Sequence, residues 1–318
     1  MTLSVGTTNA AGLVAGLLAD ALLGDPRRGH PVAGFGQVAA ALERCLYADR
    51  RATGLLYVAV LVGGTAGLGL GAQRASRNRP VLRVLVTAAA TWAVVGGRSL
   101  AREADTIADQ LERGDLAAAR AQVRNLVGRQ TSALDPGGVA RACVESLAEN
   151  TSDAVVAPLL WGAVAGLPGL LGYRAANTLD AMVGHHSARH ERFGWAAARL
   201  DDVLNWVPAR VAGALAAVAS PLVGGSPGAA YAAVRRDAAA HPSPNAGVVE
   251  AAFAGALGVR LGGTNVYGDR VEDRGRLGEG RDVEVADLPR TVRLANLTSR
   301  LSLALAVAIA LLIGRRRA

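Results

Sequence analysis

Two groups of carboxylates, amides and arginines between residues 129 and 206 have the types and spacing to do chemistry. In the first, Arg141, Glu145 and Glu149 fall at i, i+4 and i+8, which stacks them along one helix face, with Asn150 and Asp153 expected just past the helix end. In the second, Asn177 and Asp180 lie three apart in YRAANTLDAMVG, and Arg199, Asp201, Asp202 and Asn205 crowd into AARLDDVLNW. Helical spacing puts Arg199, Asp202 and Asn205 (or Trp206) on one stripe. Carboxylates paired with amides and an arginine suit a magnesium–phosphate site, because Mg²⁺ takes a few hard oxygen ligands from protein and shares the rest with water and phosphate. Blander readings fit the same residues: a solvated helix face for the first group, a structural salt-bridge network for the second.

The elements that must position these groups are membrane elements. Asp135 followed by Pro136 predicts a helix start, with the carboxylate as N-cap and the proline at the first helical position. Between the two groups runs an uncharged apolar stretch, 154–173, and carboxylates at such a boundary are costly unless they bind something. Of the 318 residues 51% are apolar, aromatics are few, and the mean hydropathy is +0.26, the profile of close-packed membrane helices. All 34 basic residues are arginine, which excludes a Walker A lysine, a Schiff-base lysine and an adenylated lysine. The net charge of +8 comes from arginines spread through loops without aromatic interleaving, so a membrane surface is expected rather than nucleic acid. Cys45 and Cys143 are expected to be packed thiols.

Taken in order, the chain opens on an uncharged stretch followed by Arg27 and Arg28, which predicts a first, uncleaved span with its C-terminal end in the cytoplasm. Residues 52–73 are of spanning length, and Gly63, Gly67 and Gly71 at i, i+4 and i+8 predict a smooth stripe for close helix packing. This run and 81–97 form an expected hairpin, and 98–129 an expected soluble helix pair turning at Gly114. The 154–173 run carries Pro158, Gly162, Gly166, Pro168 and Gly169, a broken-helix composition expected to dip in and return. Residues 262–290 read as an exposed loop, and 301–314 as a last span anchored in the cytoplasm by arginines 315–317. The fold class is thus all-α, a single polytopic membrane domain over 1–318 with four to six membrane segments.

Other polar positions offer less. His186 and His190 are four apart, which would suit a shared metal with His185 nearby, but no third ligand is evident. Asp25 and His30 lie in GDPRRGHP, which reads as an ordinary turn. His241 opens HPSPN, a rigid turn that positions His241, Ser243 and Asn245 together.

LDPGGVARACVESLAENTSDAVVAPLLW, YRAANTLDAMVG, FGWAAARLDDVLNWVPAR and HPSPNAGVVEAAFAGALGVRLGG, with GDPRRGHPVAGFGQ near the start, resemble in order the CobD/CbiB family of cobalamin biosynthesis, the adenosylcobinamide-phosphate synthases. The likeness covers nearly the whole chain; Val248 and Val249 depart from the Trp-Pro expected there, and the histidines of HHSARH look particular to this sequence. The resemblance implies an ATP-dependent amide-forming enzyme, joining (R)-1-amino-2-propanol O-phosphate, or the dephosphorylated aminopropanol, to a propionate of adenosylcobyric acid through an acyl phosphate. It implies Glu145, Glu149, Asp153, Asp180, Asp201 and Asp202 as a pool of Mg²⁺ ligands and proton acceptors, and Arg141 and Arg199 as neutralisers of phosphate or propionate. Asn150, Asn177, Asn205 and Asn245 would bind corrinoid amides or the acyl oxygen, with Asp25, His30 and His241 as further substrate contacts. A permease for a corrinoid or another anion would also need broken helices and carboxylates, though no internal repeat is present. A membrane scaffold explains the spans but not the density of polar residues from 145 to 205.

Overall fold

The computed structural model describes residues 4–26, 29–185, 187, 189–267 and 270–316, and its contacts divide into two compact units. In chain order the helices are α1 (Val5–Leu23), α2 (Pro31–Leu46), α3 (Arg51–Ala75), α4 (Pro80–Val94), α5 (Gly97–Glu112), α6 (Leu116–Val123) and α7 (Pro136–Thr151). There follow α8 (Ala157–Ala165), α9 (Leu167–Leu179), α10 (Trp195–Ala219), α11 (Pro227–Asp237), α12 (Ala246–Leu257), strands β1 (Val259–Tyr267), β2 (Arg270–Leu277) and β3 (Arg281–Asp282), and α13 (Asp287–Arg316). Five helical stretches among the described residues are long and apolar enough to cross a membrane: Val5–Leu23, Arg51–Ala75, Pro80–Glu112, Trp195–Val223 and Asp287–Arg316. The chain is an all-α polytopic membrane protein with one small sheet. Arg27, Arg28, His186 and Arg317 lie outside the described residues.

The first unit comprises Met1–Gly96, Asp153–Asn205 and Ser302–Ala318. Its helices touch where side chains are absent or small. A Cβ on Gly12 would lie 2.4 Å from the Thr87 Cβ, and one on Gly16 2.4 Å from that of Thr91, so α1 and α4 run parallel with glycine against threonine at matching four-residue steps. A Cβ on Gly6 would lie 2.8 Å from the Gly314 Cα, which sets α13 antiparallel to α1. The expected stripe on α3 is corrected by the same measure. A Cβ on Gly63, Gly67 or Gly71 meets nothing within 4 Å, and α3 packs instead through Gly54 on Phe193 and Gly69 on Leu167.

With α13 antiparallel to α1, Leu23 and Arg316 end their helices at opposite ends of the unit. The loop between α3 and α4 is short as expected, but the two helices do not pack as a hairpin, because α9 lies against both.

The 154–173 run breaks as its composition predicts. Gly166, at φ 69°, ends α8 and begins α9, and the Leu167 N–H donates to Gln73 Oε1 at 3.1 Å. Before this break only 154–165 of the helix is apolar, a rise of roughly 18 Å and short of a ~30 Å hydrocarbon core. Upstream, α7 does not end before Asn150 and Asp153 as expected; it continues through a π-turn, Ser152–Val156, into α8. Pro158 explains the turn, because it has no N–H to give the Ala154 carbonyl, which accepts from Gly96 N at 3.3 Å instead.

The second unit comprises Gly97–Ser152 and Trp206–Leu301. Here α5 and α6 turn at Gly114, φ 76°, as expected, and α12 is buried over nearly its whole length. The stretch read as an exposed loop is a sheet of order β2-β1-β3, with β1 antiparallel to β2 and Leu261, Asn265 and Leu277 buried. Its glycines concealed the strands: Gly262 and Gly263, at φ 80° and 85°, make a bulge that residues with a Cβ rarely enter. Cys143 is buried in α7, whereas Cys45 is exposed rather than packed.

Candidate functional site

The sequence-predicted residues fall into two clusters, one in each unit. In the first unit the π-turn supplies Asp153, α9 supplies Tyr173, Arg174 and Asn177, and the start of α10 supplies Asp201 and Asn205. The Asn177 amide donates to Asp201 Oδ1 at 3.3 Å and to Asp153 Oδ2 at 3.5 Å, so two carboxylate oxygens converge on one nitrogen. Asn205 Nδ2 donates to the other Asp201 oxygen at 2.9 Å, and the Tyr173 hydroxyl lies 2.8 Å from Asn205 Oδ1 and 3.0 Å from the Asp153 carbonyl. Arg174 Nη1 donates to Asn177 Oδ1 at 3.4 Å, and Asp25 and Asp153 act on its charge. His30 caps α2, with Nδ1 accepting from Val32 N at 3.2 Å, and holds Nε2 3.7 Å from Asp25 Oδ1.

The donor set suits Mg²⁺, since two hard oxygens already converge where a small cation would take the place of the amide nitrogen. Two protein carboxylates are the usual share for Mg²⁺ that also binds phosphate. The remaining predicted ligands point elsewhere. Asp202 pairs with the exposed Arg199 at 3.2 Å, because one step along a helix turns its side chain about 100° from that of Asp201. Asp180 lies over Gly184 in its own π-turn, and the Asn150 amide donates back to Ser146 O and Oγ at 3.0 and 3.1 Å. His190 stands 3.0 Å from Glu43 Oε1, with His185 edge-on to it. No group of three metal-ligating side chains occurs among the described residues.

In the second unit Arg141, Glu145 and Glu149 share one face of α7, but Glu145 is fully engaged. Its Oε2 lies 2.8 Å from Arg129 Nη2, its Oε1 accepts from Gly262 N at 2.8 Å, and Arg141 donates to the Gly262 carbonyl. Arg129 also donates to Asn265 Oδ1. Glu145 therefore pins the β-bulge to α7. Glu250 on α12 is 0% exposed, with Oε1 3.6 Å from His241 Nε2 and 4.0 Å from Arg274 Nη1. Burial, reinforced by Glu145 and Glu149, holds its carboxyl well above the usual range. Burial likewise pushes Glu149 up against the pull of Arg274, and burial with Arg274 pushes His241 down. The HPSPN turn is as expected: Ser243 N donates to His241 Nδ1 at 3.0 Å, Ser243 Oγ accepts from Asn245 and Ala246 N–H, and Asn245 Oδ1 accepts from Arg210 at 3.1 Å.

Tyr173, Arg174, Arg129, Arg274 and Glu250 escaped the sequence reading. Only Glu250 carried a local signal, a lone carboxylate in the apolar run GVVEAAFAGAL.

The family model described as CobD/Cbib protein matches residues 13–295. The curated "Cobalamin biosynthesis protein CobD" of Mycobacterium tuberculosis (strain ATCC 25618 / H37Rv) is 52% identical over 318 residues, covering 100% of both chains. Proteins of the same name are 47% identical in Geobacter metallireducens, over 82% of this chain and 84% of the relative, and 45% identical in Rhodobacter capsulatus, over 90% and 92%. No solved structure matches the chain. With a family model spanning most of its length and a relative aligned from end to end at half identity, the chain belongs to the CobD/CbiB family.

Proposed function

We propose that this protein acts in cobalamin biosynthesis as an amide-forming ligase. It joins the amine of aminopropanol, as its phosphate or free, to a propionate of adenosylcobyric acid. The observation that carries this reading is the convergence of Asp153 and Asp201 on Asn177 beside Arg174. A propionate cannot be attacked by an amine at a useful rate until its oxygen can leave. When bound, ATP would supply the phosphoryl group that makes it a leaving group, releasing ADP, and Mg²⁺ would offset the phosphate charge.

Asp153 and Asp201 would hold the cation, and Arg174 would neutralise phosphate or propionate charge. Asn177 and Asn205 present amides to the acyl oxygen or to corrinoid amides, with Tyr173 fixing the orientation of Asn205. One carboxylate of the pair would first take a proton from the ammonium, freeing the lone pair that forms the N–C bond. We place this end of the unit on the cytoplasmic face, where nucleotide is supplied.

The test uses purified protein in detergent with adenosylcobyric acid, aminopropanol phosphate, ATP and Mg²⁺, read by mass spectrometry of the corrinoid. The expected result is a mass gain of the amine minus water, lost in Asp153→Asn and Asp201→Asn. Folded protein that gives no gain, or Asp201→Asn that turns over like wild type, overturns the reading.

A further inference from the structure

At the opposite end of the first unit from Asp25 and Asp153, a cavity of about 30 Å³ opens where the first turn of α1, the ends of α3 and α13, the start of α4 and the α8–α9 elbow meet. Among its walls are Gly6, Asn9, Gln73, Arg83, Gly166 and Gly314, and no carboxylate lines it. Arg83 is 8% exposed, and its guanidinium makes no hydrogen bond or ion pair among the described residues. Arg129, also buried, has Glu145 Oε2 at 2.8 Å, whereas Arg83 has no such counter-charge among the described residues. The guanidinium reaches only the cavity, and a mostly buried cation without a counter-charge is unfavourable unless something in the cavity accepts from it.

The neighbours point to the sign and size of that acceptor. Asn9 spends its amide N–H on Gly162 O at 2.9 Å, whereas Gln73 uses its Oε1 on Leu167 N and keeps its own NH₂ as a donor. Arg74, Arg77, Arg79, Arg315 and Arg316 are exposed at the same end, and no acidic residue occurs in 74–83 or 302–316. An arginine-rich end attracts anions, and the cavity admits one water-sized group. One oxygen of a larger oxyanion fits, with the rest at the mouth.

We propose that Arg83, with Gln73, binds a phosphate oxyanion at this end of the membrane unit, inserting one oxygen between α1, α3 and α4. A phospholipid headgroup and free phosphate both carry this oxyanion, and the two sources are separable by experiment.

Full-length delipidated protein in detergent is melted with phosphatidylglycerol, with diacylglycerol, which lacks the phosphate, and with inorganic phosphate. The expected result is a rise in Tm with phosphatidylglycerol but not with diacylglycerol, and at least tenfold weaker binding in Arg83→Gln. A rise with inorganic phosphate that Arg83→Gln loses also supports the site and makes the free ion a ligand. Should Arg83→Gln fold poorly, Gln73→Glu serves instead: it keeps the acceptor for Leu167 N, offers Arg83 an internal carboxylate, and is expected to melt no lower than wild type while losing the phosphate response. No rise in wild type, or an equal rise in the variants, overturns the proposal and leaves Arg83 solvated by water alone.

Discussion

Glu145 is a candidate catalyst by its sequence position and a structural anchor by its contacts, and Glu145→Gln separates the two. The substitution keeps an acceptor for the Gly262 N–H but removes the charge opposite Arg129. The Arg129 and Glu145 side chains are 3% and 7% exposed and 2.8 Å apart, so the cation would be left buried without its partner. Breaking such a pair from one side costs about 3–5 kcal/mol. At the lower figure the unfolding equilibrium shifts roughly a hundredfold. For a unit of this size the melting temperature should fall by roughly 6–12 °C. The assay is thermal melting of the detergent-solubilised protein, alongside turnover per folded molecule. A second variant, Glu145→Gln with Arg129→Met, removes both charges and should recover much of the loss. The expectation is a large drop in Tm with turnover per folded molecule within about threefold of wild type, as for a group outside the chemistry. A Glu145→Gln protein that melts like wild type yet turns over a hundredfold more slowly refutes the structural assignment.

Three further predictions follow from the packing and charge. Gly12→Leu should destabilise α1 against α4 severely, since even a Cβ would lie 2.4 Å from that of Thr87, whereas Gly67→Ala, in open space, should leave Tm unchanged; melting both variants distinguishes the packed glycines from the bare stripe. Because the folded-state pKa of Glu250 is raised, its contribution to stability is full below the unfolded value of about 4.3 and is lost as pH rises toward the folded value, so Glu250→Gln should flatten that decline and be no less stable at pH 7. A steeper decline in the variant would contradict the assignment. In intact cells a membrane-impermeant maleimide should label only one of the native Cys45 and Asn78→Cys, which lie toward opposite ends of α3, while buried Cys143 stays unlabelled; labelling of both from outside would exclude α3 as a span.

The fold class, the helix start at Asp135, the break at Gly166 and the turn at Gly114 were legible because each rests on local physics. Apolar length, a capping carboxylate, proline without an N–H and glycine at positive φ act within a few residues. What remained hidden depends on which faces meet. Whether Gly12 and Gly16 or Gly63 and Gly67 receive a neighbour is decided by the partner helix, because either stripe could pack. The π-turn that carries Asp153 depends on Gly96, far away in sequence, taking over the carbonyl that Pro158 leaves without a donor.

The candidate site divides along the same line. Composition and spacing by themselves determined a lysine-free, arginine-rich membrane protein with carboxylates and amides crowded around a broken apolar run. Only the tertiary structure joined Asp153 to Asp201 through Asn177 and enclosed Glu145 with Arg129, whereas the pairing of Asp202 with Arg199 follows from helical spacing alone. A sequence records which groups can ionise or coordinate, but their roles depend on distances of about 3 Å between residues far apart in the chain, and those distances exist only once the helices have packed.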